Sequence, residues 1–157
     1  MKSKSIIPLA VTATLIFVAG CGRSGPAVVP VTGVVKVNGQ PMADVFVEFQ
    51  PNKEGWGSRG KTGADGKFEL FYRDGEKGAE AVKHKVKIST LVEQDDESKD
   101  PIKKKGRPEM LPPQYNEKST LEADLSGGDG TELTFDLEVH PKLVSMMEKY
   151  QKEVETP

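Results

Sequence analysis

The chain has 157 residues, of which 36% are hydrophobic, and its formal net charge at pH 7 is −2. A chain of this length buries one hydrophobic core, so a single domain is expected. The near-balance of charges gives no support to nucleic-acid binding, which favours a basic surplus concentrated on one face. The sole cysteine cannot form an intramolecular disulfide.

The beginning of the chain has the three-part pattern of a bacterial export signal. Lys2 and Lys4 form a short positive region, and an uncharged apolar run follows over residues 6–18. This run is too short to cross a bilayer as a helix. We therefore predict a lipoprotein signal peptide over residues 1–20, with cleavage directly before Cys21.

The segment Ala19-Gly20-Cys21 resembles the lipobox of bacterial lipoproteins. This resemblance implies a lipid on the Cys21 thiol and further acylation, palmitate included, at the new amino terminus. More than one acyl chain gives stable attachment to a membrane. The expected location is the cell envelope, with the domain facing the periplasm or the exterior. The alternatives are ordinary secretion with an incidental cysteine and an uncleaved anchor.

The mature chain divides into a tether, a β-domain and a tail. Residues 21–30 are small, contain proline and carry little charge, which predicts a flexible tether. Residues 31–140 show period-two alternation of apolar and polar side chains, with turn signals at Asn38-Gly39 and Asp65-Gly66. The alternation predicts seven short strands, near residues 31–37, 45–50, 56–62, 68–72, 82–89, 121–125 and 133–139.

Each of these strands has one apolar and one polar face, so two sheets with their apolar faces inward satisfy the pattern. We predict an all-β fold, a seven-stranded antiparallel β-sandwich of the Ig-like or prealbumin-like type. A parallel arrangement is disfavoured because no helical crossovers separate the strands.

Two stretches depart from the alternation. Glu93 to Pro113 is highly charged and interrupted by prolines, which predicts a mobile surface loop. Residues 141–157 are predicted to form a short C-terminal helix and tail, docked on the sandwich edge or contacting a partner. Its apolar residues have helical spacing: Leu143, Met146, Met147 and Tyr150.

Several segments resemble carboxypeptidase regulatory-like (transthyretin-related) domains. The opening Val31-Thr32-Gly33-Val34-Val35, the following Gly39-Gln40-Pro41 and the turn Thr62-Gly63-Ala64-Asp65-Gly66 carry this resemblance. Leu111-Pro112-Pro113-Gln114-Tyr115-Asn116 is similar to a segment of small planctomycete lipoproteins built on that domain. The resemblance implies a β-sandwich and a non-catalytic accessory or binding role, without peptidase activity.

Candidate catalytic and metal-binding residues are few. The chain has two histidines, and Cys21 is assigned to lipidation, so we expect no metal site and no cofactor. His84 is predicted to lie at the core edge with a satisfied hydrogen bond, and His140 to cap or lie on the surface. The sequence contains neither a G-x-S-x-G nor an H-E-x-x-H motif, and we expect no enzyme activity.

Trp56, between Gly55 and Gly57, is the candidate ligand contact. A buried tryptophan that fills the sandwich is the favoured interpretation, and an exposed one would stack on a sugar. We therefore predict a lipid-anchored, non-catalytic binding or scaffolding module, with an envelope protein or polysaccharide as partner besides the membrane. The alternatives are a carbohydrate-binding module that uses Trp56, and an enzyme with a polar pocket.

Overall fold

The computed structural model describes residues 25–155, so the predicted signal peptide and Cys21 lie outside the described residues. This part of the chain contains ten strands and two α-helices, α1 (Pro101–Lys105) and α2 (Pro141–Glu155). The strands are β1 (Val28–Val29), β2 (Val31–Val37), β3 (Gln40–Pro41), β4 (Phe46–Pro51), β5 (Ser58–Lys61), β6 (Lys67–Glu69), β7 (Ala79–Glu80), β8 (Lys83–Ser89), β9 (Leu121–Asp124) and β10 (Thr131–Leu137).

The strands form three sheets, and the prediction of an all-β fold is confirmed at this level. One four-stranded sheet has β2 paired with β10, β3 and β6, and the other has the order β5-β4-β8-β9. The two-residue strands β1 and β7 pair with each other. The seven strands of three or more residues lie where alternation predicts them, and β1, β3 and β7 were not predicted.

The two four-stranded sheets pack through their apolar faces. Alternate residues of β2 and β8 are buried, as the period-two pattern requires. Phe49 of β4 contacts Phe135 of β10 with ring centroids 6.4 Å apart, and Phe68 of β6 lies 6.3 Å from the same ring. The Phe49–Phe135 contact joins the inner faces of the two sheets into one core.

One strand pair is parallel, which corrects the prediction of a wholly antiparallel sandwich. β10 pairs with β2 in parallel over its full length, from Thr131 opposite Val31 to Leu137 opposite Val37. Two parallel strands need a long connection, and the sequence prediction expected that connection to be a helix. Here β3 to β9 together form the connection, so no helical crossover is needed.

The β8–β9 connection, residues 90–120, lies on the surface over residues 93–105, as predicted, but packs on the sandwich through Gly106, Arg107, Met110 and Leu111. Asp100 caps α1 by accepting a hydrogen bond from the Ile102 backbone N–H at 2.9 Å. Arg107 is only 3% exposed and donates hydrogen bonds to the backbone oxygens of Thr90 and Asp44. The burial of Arg107 was not predicted, because backbone oxygens satisfy a charged side chain that composition alone assigns to solvent.

Helix α2 begins at Pro141, as predicted, and docks on the sandwich. Met147 is buried in the core, and Leu143, Val144 and Tyr150 pack against it. Tyr150 donates a hydrogen bond from its hydroxyl to the Gly106 backbone oxygen, so α2 also contacts the β8–β9 connection. The helix was predicted either to dock on the sandwich edge or to contact a partner, and in the structure it docks on the sandwich.

The sandwich has two ends with different contents. At one end, here called the N-terminal end, residues 25–28 and the loop 72–76 line one pocket, and the Ala27 oxygen accepts from the Ala81 N–H at 2.8 Å. At the other, here called the helix end, the Asn38–Gly39 turn reaches the segment before α2, where Asn38 Nδ2 donates to the Val139 oxygen at 2.8 Å. β2 runs from the first end to the second.

Candidate functional site: an aromatic cleft at the N-terminal end

Trp56 is exposed, so the favoured interpretation of a buried tryptophan is wrong. Its side chain is 61% exposed. The predicted strand began at Trp56, but β5 begins at Ser58, and Trp56 belongs to the β4–β5 connection (residues 52–57). The alternation that buries strand residues therefore does not reach this side chain. The structure satisfies the condition that the carbohydrate-binding alternative required of Trp56.

An open cleft of about 1010 Å³ surrounds Trp56 at the N-terminal end. The guanidinium of Arg73 lies 5.4 Å from the centroid of the Trp56 ring and 5.6 Å from that of the Tyr72 ring. These are cation–π distances, and the planar guanidinium extends the flat aromatic surface. Phe71, 43% exposed, also lines the cleft.

A buried carboxylate positions the Trp56 loop. Glu80 is 3% exposed, and its Oε1 accepts from the Trp56 backbone N–H at 3.1 Å and from the Tyr72 hydroxyl at 2.8 Å. A Cβ atom on Gly55 would lie 2.7 Å from Glu80 Oε2, so glycine allows the loop to close over the carboxylate. Burial, and then the hydrogen bond and charge of Glu80, raise the pKa of Tyr72, so its hydroxyl remains a donor at neutral pH.

The polar side of the cleft is formed by Glu48, Gln50 and Arg59. Glu48 Oε1 accepts from Arg59 at 3.2 Å and from Gln50 Nε2 at 3.0 Å. Burial alone would raise the pKa of Glu48, but the hydrogen bonds from Gln50 and Arg59 outweigh it and lower the pKa. The carboxylate is therefore ionised at neutral pH, and the cleft combines a flat aromatic surface with planar hydrogen-bonding groups.

Sequence reasoning singled out Trp56 alone among the cleft residues. The alternation predicts that Phe68, Leu70 and Tyr72 point into the core, and Phe71 between them must then point outward. The sequence pattern therefore already indicated an exposed aromatic residue at Phe71. Arg73 reaches Trp56 from a different connection, and no local pattern links the two. Glu80 reads as a solvent-facing charge in the sequence, although it is buried.

The two histidines lie apart. His84 is fully buried, its ring is 5.6 Å from that of Phe49, and its Nε2 is 2.8 Å from the Glu80 oxygen. His140 is exposed, and its Nδ1 accepts from the Lys142 N–H at the start of α2. The capping role of His140 is confirmed, but His84 makes its hydrogen bond from the fully buried core instead of the predicted core edge. Nδ1 of His84 is buried without a hydrogen-bond partner.

Among residues 25–155 there is no group of three or more His, Cys, Asp or Glu side chains placed to hold a metal ion. Within the same range, neither helix has the length and apolar character needed to span a membrane. Cys21, the predicted lipidation site, falls outside the described part of the chain.

Comparisons with known proteins give no relative. A scan against protein-family models found no match, and searches of curated proteins and of solved structures found no significant similarity.

Proposed function

We propose that this chain is a lipid-anchored, non-catalytic β-sandwich of the bacterial cell envelope that acts as a binding or scaffolding module. The lipid is carried by Cys21, and the domain faces the periplasm or the exterior. The observation that carries the binding role is the exposed Trp56 ring beside the Arg73 guanidinium in an open cleft. The hydrogen bond from the Trp56 backbone N–H to Glu80 holds the β4–β5 connection in place, so the exposed ring is positioned before a ligand binds.

We also propose that the fold is the prealbumin-like sandwich of carboxypeptidase regulatory-like domains. The seven longer strands support this, as do the turns that carry the resemblance. Asn38 and Gly39 have φ of 50° and 80°, and Gly66 has φ of 73°, a conformation that asparagine and glycine tolerate.

A saccharide is the candidate soluble ligand of the cleft. The apolar face of a sugar ring stacks on an aromatic ring, and planar side-chain groups beside it exchange hydrogen bonds with the hydroxyls. Glu48, Gln50 and Arg59 provide those groups on one side of the cleft, next to Trp56. This arrangement supports the carbohydrate-binding alternative over an interaction module that uses α2, because α2 buries part of its apolar face on the domain.

Trp56→Ala is the test of this cleft. We expect binding of envelope polysaccharide fragments, measured by titration calorimetry, to weaken about tenfold or more, since loss of stacking and burial removes over about 1.4 kcal/mol. The fold should be unaffected because the side chain is mostly exposed. Met146→Ala removes another exposed apolar side chain, on α2, and should leave affinity unchanged. Equal affinity of the two variants for the polysaccharide fragments would show that the saccharide does not bind in this cleft.

A further inference from the structure

The cleft and the point where the chain enters the domain lie side by side. Residues 25–28 and the loop 72–76 line one shared pocket, and three residues of that loop, Tyr72, Arg73 and Asp74, also line the Trp56 cleft. From Val28 the chain is held in place, since β1 pairs with β7 and Val29 is 5% exposed. The part of the predicted tether beyond the described residues therefore starts within one loop of Trp56.

The tether is too short to present the other end of the sandwich to a membrane. Gly25 is the fourth residue after Cys21, and four extended residues span at most about 14 Å. β2 alone extends about 20 Å from the N-terminal end to the helix end. A lipid on Cys21 therefore keeps the N-terminal end within about 14 Å of the bilayer and excludes an upright orientation with the helix end on the membrane.

The side chains exposed at the N-terminal end suit a headgroup layer. Trp56 and Phe71 are two of the four large hydrophobic side chains exposed in residues 25–155. Tryptophan is enriched at membrane–water interfaces, and an arginine beside it can keep its charge among headgroups while its stem packs on the ring. Lys53, Glu54, Arg73, Asp74 and Glu76 are all exposed here, so this end has no basic surplus and anionic lipid is not required.

We propose that the anchored protein rests with its N-terminal end on the phospholipid surface that carries its lipid, with Trp56 and Phe71 at the level of the headgroups. This inference depends on the lipid anchor of the proposed function and names the membrane surface as the partner of the cleft. Two exposed aromatic side chains bind a bilayer weakly by themselves. The anchor makes the contact intramolecular, so the local lipid concentration is high.

The test uses the only cysteine and the only tryptophan of the chain. Residues 21–157 are coupled through Cys21 to a maleimide lipid in phosphatidylcholine vesicles, and Trp56 fluorescence is measured with and without spin-labelled phosphatidylcholine. We expect a blue-shifted emission and quenching of at least twofold in the coupled protein. Uncoupled protein with the same vesicles should show neither. The quenching should change little between low and high salt, because phosphatidylcholine carries no net charge and the N-terminal end has no basic surplus.

The matched control moves the tryptophan to the helix end. Trp56→Phe combined with Gln40→Trp places it on an exposed position of β3, and the coupled variant should be quenched far less than the wild type. Equal quenching at both positions, or none at Trp56, overturns the proposal.

The outcomes separate this inference from the proposed function. If Trp56 is not quenched by lipid but its emission responds to oligosaccharide, the cleft faces solution and only the membrane contact fails. The anchor is tested apart from the vesicles by fractionation of cells that produce Cys21→Ala. Membrane attachment in that variant would overturn the anchor and with it this inference.

Discussion

At the scale of single residues, Glu109 shows how a charged side chain holds the β8–β9 connection to the sandwich. Its carboxylate accepts hydrogen bonds from the Ser89 hydroxyl at 2.5 Å, the Thr90 hydroxyl at 2.7 Å and the Leu111 backbone N–H at 2.9 Å. Burial alone would raise the pKa of Glu109, but these hydrogen bonds outweigh it and lower the pKa below its ordinary value.

This lowered pKa gives the stability of the domain a predicted pH dependence. The unfolded protein binds a proton at Glu109 at higher pH than the folded protein does, so the stabilisation is complete above about pH 5 and is lost as the pH falls through the folded-state pKa. Glu109→Gln should cost about 1–3 kcal/mol at pH 7, because fewer donors are satisfied. In urea unfolding, the difference from wild type should shrink below about pH 4.

Glu117→Gln is the matched control, because Glu117 is exposed on the same connection. Its unfolding curve should follow that of the wild type at pH 7. A difference between wild type and Glu109→Gln that stays constant from pH 7 to pH 3 would show that the charge of Glu109 contributes no stability.

At the scale of elements, α2 is held to the sandwich by one face. The adjacent residues Met146 and Met147 differ sharply, since Met146 is 52% exposed and Met147 is 3% exposed. Helical geometry points consecutive side chains about 100° apart, so one faces the core and the other solvent. The spacing of apolar residues predicted this helix, but it placed both methionines in the apolar set and did not separate them.

Met147→Ala should destabilise the domain by about 2 kcal/mol or more, because it leaves a cavity between α2 and the sheet. The amide hydrogens of α2 should then exchange faster. Met146→Ala, with the same chemical change one residue earlier, should shift stability by less than about 0.5 kcal/mol. Comparable losses in the two variants, measured by urea unfolding and hydrogen exchange, would contradict the docking of α2 described above.

The seven longer strands could be predicted because alternation is a local property, visible within six or seven residues. The exposure of Trp56 could not be, since it depends on where the β4–β5 connection ends and β5 begins. Trp56 lies in the β4–β5 connection and Arg73 in the β6–β7 connection, so the two side chains come together only in the folded protein. The packing of Arg107 was hidden because its partners are backbone oxygens, which no residue type encodes.

At the scale of the whole molecule, the parallel pair β2–β10 brings the first and last long strands together. Gly33 of β2 allows this approach, since a Cβ atom there would lie 2.2 Å from the Leu133 oxygen and 2.8 Å from the Phe68 ring. Neither backbone nor a packed ring can move aside cheaply. The parallel register was not predictable from sequence because it joins segments about one hundred residues apart.

Gly33→Ala should therefore destabilise the protein by about 2–3 kcal/mol and lower its Tm by several degrees, as measured by calorimetry. Gly127→Ala is the matched control, because no atom lies within 4 Å of a Cβ atom built at Gly127. This control should unfold with the wild type or slightly above it. A Tm for Gly33→Ala equal to that of the control would contradict the close approach of β2 and β10.

The parallel pairing also decides how the domain responds to mechanical force. The chain enters β2 at Val31 and leaves β10 at Leu137 towards α2, so these attachment points lie at opposite ends of two parallel neighbours. A pull between the N-terminal segment and α2 loads the two strands in shear. All the backbone hydrogen bonds between them then resist together, whereas a hairpin pulled from one end opens bond by bond. The domain is thus built to withstand tension along the line from its first strand to its final helix.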